Sequence, residues 1–473
     1  MKTTINNHRF ISVTCAMMVL AVTAHAGEFK TGAAQVDITP PVGTPRGGGY
    51  ATIPSVGVLD PLHAKAIVVE QDGAKAAFVG LDVAYTTRPV ITAARKLIAE
   101  QTGIPPERVM ISATHTHSGP VQTRNNPMDK ITGADKPLAV EFTAKLPSLI
   151  ARAVVEANAK LTPARASAHI AREENTSFNR RYWVKPGEMP PSVAGWKVPW
   201  SPNDQHSVPP IDPDVGVCYF ESAGKGAKPL ATYFNFAMHP TVVGGSKFCT
   251  DYCGCIARRL AEFKGPDMVT LFANGCCGNL NQANPNWPGQ RHGLPEAERI
   301  GTVLAGAALR DWSKLQPLQT YAPRAKSMMV TLPRRKITDE EVAEARRIFD
   351  LIGKKKQTIP VMANAVCILD TLAKKDTPLE AEVQVIAFSD DLAIVALPGE
   401  IFVELGLALK KASPFKRTFI AELANGSIGY IPNQAAYPEG NYEVVSARCV
   451  AGSGEMLVEA AVGMLKDLRS SVH

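Results

Sequence analysis

The sequence predicts an α/β protein with a mixed sheet core and flanking helices. Two observations carry this. Short apolar runs of strand length recur along the chain and alternate with stretches of helical apolar periodicity. Several of these runs end in polar tips rich in His, Asn, Gly or Glu, and strand ends are where α/β sheets gather ligands. With 473 residues, 45% hydrophobic and 20% charged, there is ample material for a large core.

The chain opens with Lys2 and Arg9, an apolar run over 10–23, and Ala24-His25-Ala26 before Gly27. A basic start, a short apolar centre and a small-x-small end predict a secretory signal over 1–26, too short for a membrane span. Removing Lys2 and Arg9 takes the formal charge from +7 to +5, a mild surplus without a basic cluster, which gives no case for nucleic acid. No other apolar run approaches a membrane span, and nothing calls for an obligate protein partner. The mature chain is expected to be exported, periplasmic or secreted. Cys15 leaves with the signal, and the eight remaining cysteines are too few in so long a chain to form a disulfide scaffold. Cys249, Cys253 and Cys255 lack a paired Cys-x-x-Cys repeat and read as structural rather than as a thiolate metal cluster.

In chain order, 33–39 is a strand, and 64–70 and 76–81 form a hairpin turning at Asp72-Gly73. Between them Arg46-Gly47-Gly48-Gly49-Tyr50 is a turn, or a place where backbone approaches a ligand closely. Asp82, just past the hairpin, either caps a helix or plays a structural or ligand-orienting part. A helix over 88–101 stops at Gly103, and the apolar run 109–111 leads into Ser112-Ala113-Thr114-His115-Thr116-His117. Residues 120–137 read as a polar loop, 140–159 as an amphipathic helix containing Pro147, and 161–171 as a strand. The stretch 182–213, with Trp183, Trp196 and Trp200, has little periodicity and reads as a covering loop. Strands follow over 230–236, 268–273, 392–397 and 418–423. Helices are expected over 251–263, 296–314, 402–411 and 455–468, with another starting at a Thr338/Glu341 capping box.

In an extended chain, residues two apart point to one side, so His115 and His117 project together. Two imidazoles on one face can bind a metal, although an isolated His-x-His is as readily structural. Other strand ends supply matching donors: His239, Glu400 and the loop carrying Tyr430. Zinc takes about four nitrogen and oxygen ligands of this kind. Singly each is weak, since His239 could be a core histidine and Glu400 a helix cap.

These residues resemble the neutral ceramidases and their relatives. The resemblance rests on Ala34-Gln35-Val36-Asp37-Ile38-Thr39-Pro40-Pro41, Thr114-His115-Thr116-His117-Ser118-Gly119-Pro120, Asn179-Arg180, Asn235-Phe236-Ala237-Met238-His239-Pro240-Thr241, Leu397-Pro398-Gly399-Glu400 and Gly429-Tyr430-Ile431-Pro432, all in the family's order. It implies a zinc-dependent amide hydrolase of neutral ceramidase type, with Zn2+ held by His115, His239, Glu400 and Tyr430. His117 would then be catalytic and Arg180 would hold substrate. Two departures stand out. The family's Gly-Asp-x-Ser-Pro-Asn stretch is here Gly278-Asn279-Leu280-Asn281-Gln282, which puts Asn281 at the serine and ceramide cleavage in doubt. After the last helix there is no room for the family's immunoglobulin-like domain, so a single catalytic domain over 27–473 is expected. The expected function is cleavage of N-acyl amide bonds in a small-molecule or lipid-like substrate by a zinc-activated water. The alternatives are a zinc esterase or deacylase of glycan or cell-wall acyl groups, and a catalytically silent exported binding protein.

Overall fold

A computed structural model describes residues 27–184, 196–199, 210–284 and 292–470. The expected signal at 1–26 lies outside the described residues, as does most of the expected covering loop at 182–213. The first sheet is built from β1 (Lys30–Asp37), β2 (His63–Gln71), β3 (Ala74–Leu81), β4 (Val109–Ala113), β5 (Thr162–Arg172), β6 (Asp214–Ser222), β7 (Pro229–Phe236) and β8 (Val269–Asn274). Its order is β8-β7-β6-β5-β1-β2-β3-β4, with the two-residue strand Gln316–Pro317 added beside β5. Only β3/β4 and β7/β8 are parallel. The predicted hairpin joins β2 and β3, and its turn residues have φ of 54° at Asp72 and 75° at Gly73, as a two-residue type I′ turn requires.

The second sheet, β9 (Thr320–Leu332), β10 (Leu379–Ser389), β11 (Leu392–Ala396) and β12 (Arg417–Ala421), runs in that order, with β11 and β12 parallel. Its inner face, with Ile386, Phe388, Ile394 and Phe419, packs on Ile67, Phe78, Met110 and Tyr233 of the first sheet. Helices cover the outer faces: α1 (Arg88–Thr102) and α3 (Pro137–Ala159) over β1 to β4, and α4 (Asp251–Lys264) and α5 (Leu294–Arg310) over β6 to β8. On the second sheet lie α8 (Val403–Ala412) and α10 (Ser453–Ser470). With both faces covered, β4, β11 and β12 are buried along their whole length, which is why they read as unbroken runs rather than alternating ones.

Several elements depart from expectation. The loop over 120–137 contains the short helix α2 (Met128–Thr132), and the helix expected over 296–314 ends at Arg310 before a 3-10 turn at Trp312–Lys314. β6, β9, β10 and α7 (Ile359–Ala373) were not foreseen. β9 is an edge strand, half exposed and interrupted by Pro323, so it carries little alternation. The capping box before α6 (Asp339–Leu351) forms as predicted, with Glu341 N donating to Thr338 Oγ1 and Thr338 N to Glu341 Oε2. The six-residue α9 (Asn441–Ser446) completes the ten helices among the described residues. Among the described residues no helix is long and apolar enough to cross a membrane.

The sheets are tied together through polar groups as well as apolar ones. Asn235 Nδ2 on β7 donates to Ala273 O and to Ile420 O across the sandwich, both at 2.8 Å. Arg95 on α1 donates Nη1 to both oxygens of Glu382 on β10 at 2.9 Å, and Nη2 to Val109 O at 2.7 Å. Arg88 also engages Glu382. The Glu382 and Arg95 side chains are only 3% and 7% exposed, so removing the carboxylate strands a buried cation. Glu382→Ala is expected to lower unfolding stability by about 3 kcal/mol, read from the denaturant midpoint.

Candidate metal centre

The parallel pairs of the two large sheets, β3/β4, β7/β8 and β11/β12, lead at their carboxyl ends into the segments that carry the site. β4 ends at Ala113, and the chain then turns: Thr114 N donates to Leu81 O at 2.8 Å and His115 N to Val83 O at 3.0 Å. His115 has φ of 70°, a left-handed conformation that costs a residue with a Cβ about 1 kcal/mol or more. The two histidines therefore meet through a strained turn, and not through the pleat of an extended chain as the spacing suggested. His117 N donates to Pro240 O at 3.1 Å, which fastens this turn to the one that follows β7 and carries His239.

Each imidazole is oriented by a backbone carbonyl. His115 Nδ1 lies 2.6 Å from Ala84 O, His117 Nδ1 2.9 Å from Gly48 O, and His239 Nδ1 2.7 Å from Cys277 O and 2.8 Å from Leu280 O. A carbonyl only accepts, so each Nδ1 carries its proton and each Nε2 keeps a lone pair. The Nε2 atoms of His115 and His117 are 3.3 Å apart, and a set of donor atoms from His115, His117 and His239 lies within 4.8 Å of one another. Glu400 Oε2 sits 3.5 Å from His115 Nε2 and 3.2 Å from His239 Nε2. It comes from the two-residue strand Glu400–Ile401, which pairs in parallel with Tyr430–Ile431 and places Glu400 opposite Tyr430.

Burial, then the field of Arg180, push His239 down to about 4, the neutral form that ligation needs. Burial alone would raise Glu400, yet the imidazoles of His115 and His239 packed against it hold it well below the usual carboxylate range. Burial pushes the Tyr430 phenol well above its ordinary value, with Glu400 adding to the rise. Lone pairs of three neutral nitrogens converging beside a carboxylate repel one another unless a cation lies between them. This donor set fits zinc.

The other residues singled out from the sequence fall in different places. Arg180 is buried behind Tyr430, donating Nη2 to Tyr430 Oη at 3.2 Å and to Gly278 O at 2.7 Å, and Nε to Glu443 Oε1 at 2.7 Å. Asn281 lies in a two-residue strand beside Phe178, and its Oδ1 accepts from Ala283 N at 2.9 Å. Asp82 accepts from His63 N at 3.0 Å at the start of β2, while Thr87 precedes α1, so Asp82 caps no helix. All eight described cysteines are buried free thiols; Cys249 Sγ donates to Asp60 Oδ2 and Cys255 Sγ to Glu298 Oε2. Among the described residues the histidine trio is the one His, Cys, Asp or Glu group close enough to hold a metal.

One contributor was not visible in the sequence. Glu422 at the end of β12 is fully buried and accepts from Cys277 N at 3.0 Å, Ile401 N at 2.9 Å and Cys277 Sγ at 2.9 Å. It thus braces both the carbonyl that orients His239 and the residue after Glu400. Burial pushes its carboxyl up to about 8. An acid at the end of an apolar strand was the available signal. It also accounts for Cys277, whose carbonyl and thiol both serve this network.

A cavity of about 130 Å³ opens above the centre. His115, His117, Glu400 and Tyr430 line it on one side, and Gly47, Gly48, Gly49 and Tyr50 contribute the loop that approaches His117. Gly48 has φ of 88°, and a Cβ there would stand 2.5 Å from His117 Cβ, so the triple-glycine stretch is a close approach rather than a simple turn. Arg180, His239 and Asn281 are not among the lining residues.

Residues 29–247 match the profile described as neutral/alkaline non-lysosomal ceramidase, N-terminal. Over that stretch, a little under half of its length, the chain is similar to the neutral/alkaline non-lysosomal ceramidase family. Among solved structures, neutral ceramidase from Pseudomonas aeruginosa shares the fold with a TM-score of 0.74 at 20% identity, covering 94% of this chain and 75% of that one. A structure described as ceramidase complexed with C2 matches with a TM-score of 0.72 at 19% identity, covering 94% of this chain and 76% of that one. No curated protein matches the sequence. Gly278 presses against the backbone of Glu400, where an added Cβ would lie 2.5 Å from Glu400 O. Gly278→Ala is expected to displace the loop that orients His239 and to weaken zinc binding roughly 10- to 100-fold in a chelator competition.

Proposed function

We propose that the chain is an exported zinc-dependent hydrolase that cleaves N-acyl amide bonds. The observation that supports this best is the convergence of imidazole Nε2 atoms and the Glu400 carboxylate beside the cavity, with every Nδ1 held by a carbonyl. His115, His239, Glu400 and Tyr430 would hold the ion. Bound zinc supplies a nucleophilic water at neutral pH and polarises the substrate carbonyl, so no serine nucleophile is needed.

The remaining residues divide the work by position. His239 and His115 are 1% and 4% exposed, whereas His117 is more open and reaches into the cavity. His117 is therefore the imidazole that substrate meets, and Nε2 is its free nitrogen for taking a proton or donating one to the developing oxyanion. Arg180 acts through Tyr430, whose hydroxyl it fixes, and is a positioning residue in this arrangement. Asn281 follows the Leu280 carbonyl that orients His239, and offers an amide where ceramidases have serine. Ceramide is therefore expected to be a poor substrate.

Purified mature protein is expected to carry close to one zinc per chain. His239→Ala and Glu400→Ala should each strip the metal, measured by elemental analysis; full retention in both would reject the site. His117→Ala should keep zinc and lose roughly two to three orders of magnitude in turnover. The assay is a panel of N-acyl amides, ceramide among them, with an ester set alongside. Faster turnover of acyl sugars than of any amide would favour the esterase, and no turnover at all the silent binding protein.

The basic start, apolar centre and Ala24-His25-Ala26 end support export. N-terminal sequencing of protein recovered from the native envelope is expected to begin at Gly27, and an intact Met1 there would refute cleavage.

A further inference from the structure

The cavity carries charge that amide hydrolysis does not call for. Arg124 and Arg448 both line it, and Glu400, turned toward His115 and His239, is the sole carboxylate among the lining residues. Arg448 gives its Nε to Asp370 Oδ2 at 2.5 Å, but the other oxygen of Asp370 pairs with Lys374 at 2.8 Å, so one carboxylate faces two cations. Arg124 lies flat over the Tyr85 ring, its Cζ 3.2 Å from the centroid, and its buried Nε has no hydrogen-bond partner. Asp129, in the same loop, does not neutralise it through an ion pair; its carboxylate accepts from the backbone N–H groups of Arg124 and Asn125.

Two guanidinium groups delivered by separate segments to one small cavity, one with an unpartnered buried Nε and the other sharing its carboxylate with a lysine, make a ready site for an anion. We propose that the substrate carries an oxyanion, of the kind an N-acyl amino acid presents, which Arg124 and Arg448 bind while the amide faces His117. The inference rests on the hydrolase reading above and adds the class of substrate. Guanidinium matches carboxylate and phosphoryl oxygens in a planar fork, and stacking on Tyr85 fixes the plane of Arg124 in advance. Size points the same way. A cavity of about 130 Å³ is small beside the roughly 300–1,000 Å³ typical of drug-sized ligands, and it suits a compact charged head better than a lipid with two long chains.

The test reads binding and turnover separately. N-octanoylglycine, the phosphate monoester of N-octanoylethanolamine, and neutral N-octanoylethanolamine are titrated into the zinc-loaded protein by calorimetry, and their hydrolysis is followed in parallel. At least one anionic compound is expected to bind about tenfold or more tighter than the neutral one. Arg124→Gln should remove most of that preference while leaving the affinity for the neutral compound unchanged. Arg448→Lys, which keeps the charge beside Asp370, should retain more of the preference than Arg448→Gln. A carboxylate that outbinds the phosphate names an amino-acid head, and the reverse a phosphoryl one. Equal binding of neutral and anionic compounds would overturn the proposal, as would variants that weaken both alike. Tight binding of an anion without turnover of any amide would uphold the anion site and reject the amidase reading.

Discussion

Everything at the centre depends on backbone carbonyls accepting the Nδ1 protons of three histidines. A free imidazole exchanges tautomers, and a ring that can rotate presents its lone pair anywhere; the carbonyls of Ala84, Gly48, Cys277 and Leu280 remove both freedoms. Those carbonyls lie in turns after β3 and β8 and in the glycine loop before β2. The strained φ of His115, the close approaches of Gly48 and Gly278, and the buried Glu422 all serve to bring the turns into register. Strain and a buried acid are tolerated here because the sandwich on which the turns stand is rigid and dry.

Much of the architecture was legible because β4, β7, β8, β11 and β12 are buried on both faces and appear as short apolar runs with polar tips. The helices α1, α6 and α10 announce themselves through periodicity or caps. What escaped was half-exposed or irregular: the edge strand β9, with its lysine, arginine and proline, and α7, whose Pro360 and small residues carry little helical signal. The donors at strand ends could be found one by one, but not their partners. Nothing in the sequence says that Gly48 reaches His117, that Glu422 lies behind Cys277, or that Arg180 stands behind Tyr430. Those contacts are separated by up to 250 residues, as for Arg180 and Tyr430, and long-range packing alone sets them.

The electrostatic arrangement is graded by depth. At the back, Arg180 and Arg181 share the fully buried Glu443, an ion pair network that fixes position. In the middle, His115 and His239 hold Glu400 ionised while burial and Arg180 keep His239 neutral. Toward the opening, arginine charge is incompletely matched. A small cavity lined in this way focuses a positive potential outward, which raises the encounter rate of anions and depends on ionic strength.

The donors are drawn from His115 at one extreme of the chain and Tyr430 at the other, and the two sheets bring them together only when their inner faces close on each other. The segment that matches the family profile ends at residue 247, so it contains all three imidazoles but neither Glu400 nor Tyr430, and it lacks the second sheet that covers Ile67, Phe78 and Tyr233. Capture of an ion would therefore come late in the life of the chain, as a seal on a completed sandwich rather than a nucleus for it. Because the ion would bind the finished fold and not its parts, its free concentration at about 100 times Kd would add about 2.7 kcal/mol against unfolding of the whole. A truncation that removed the second sheet would forfeit that term, even with every histidine intact.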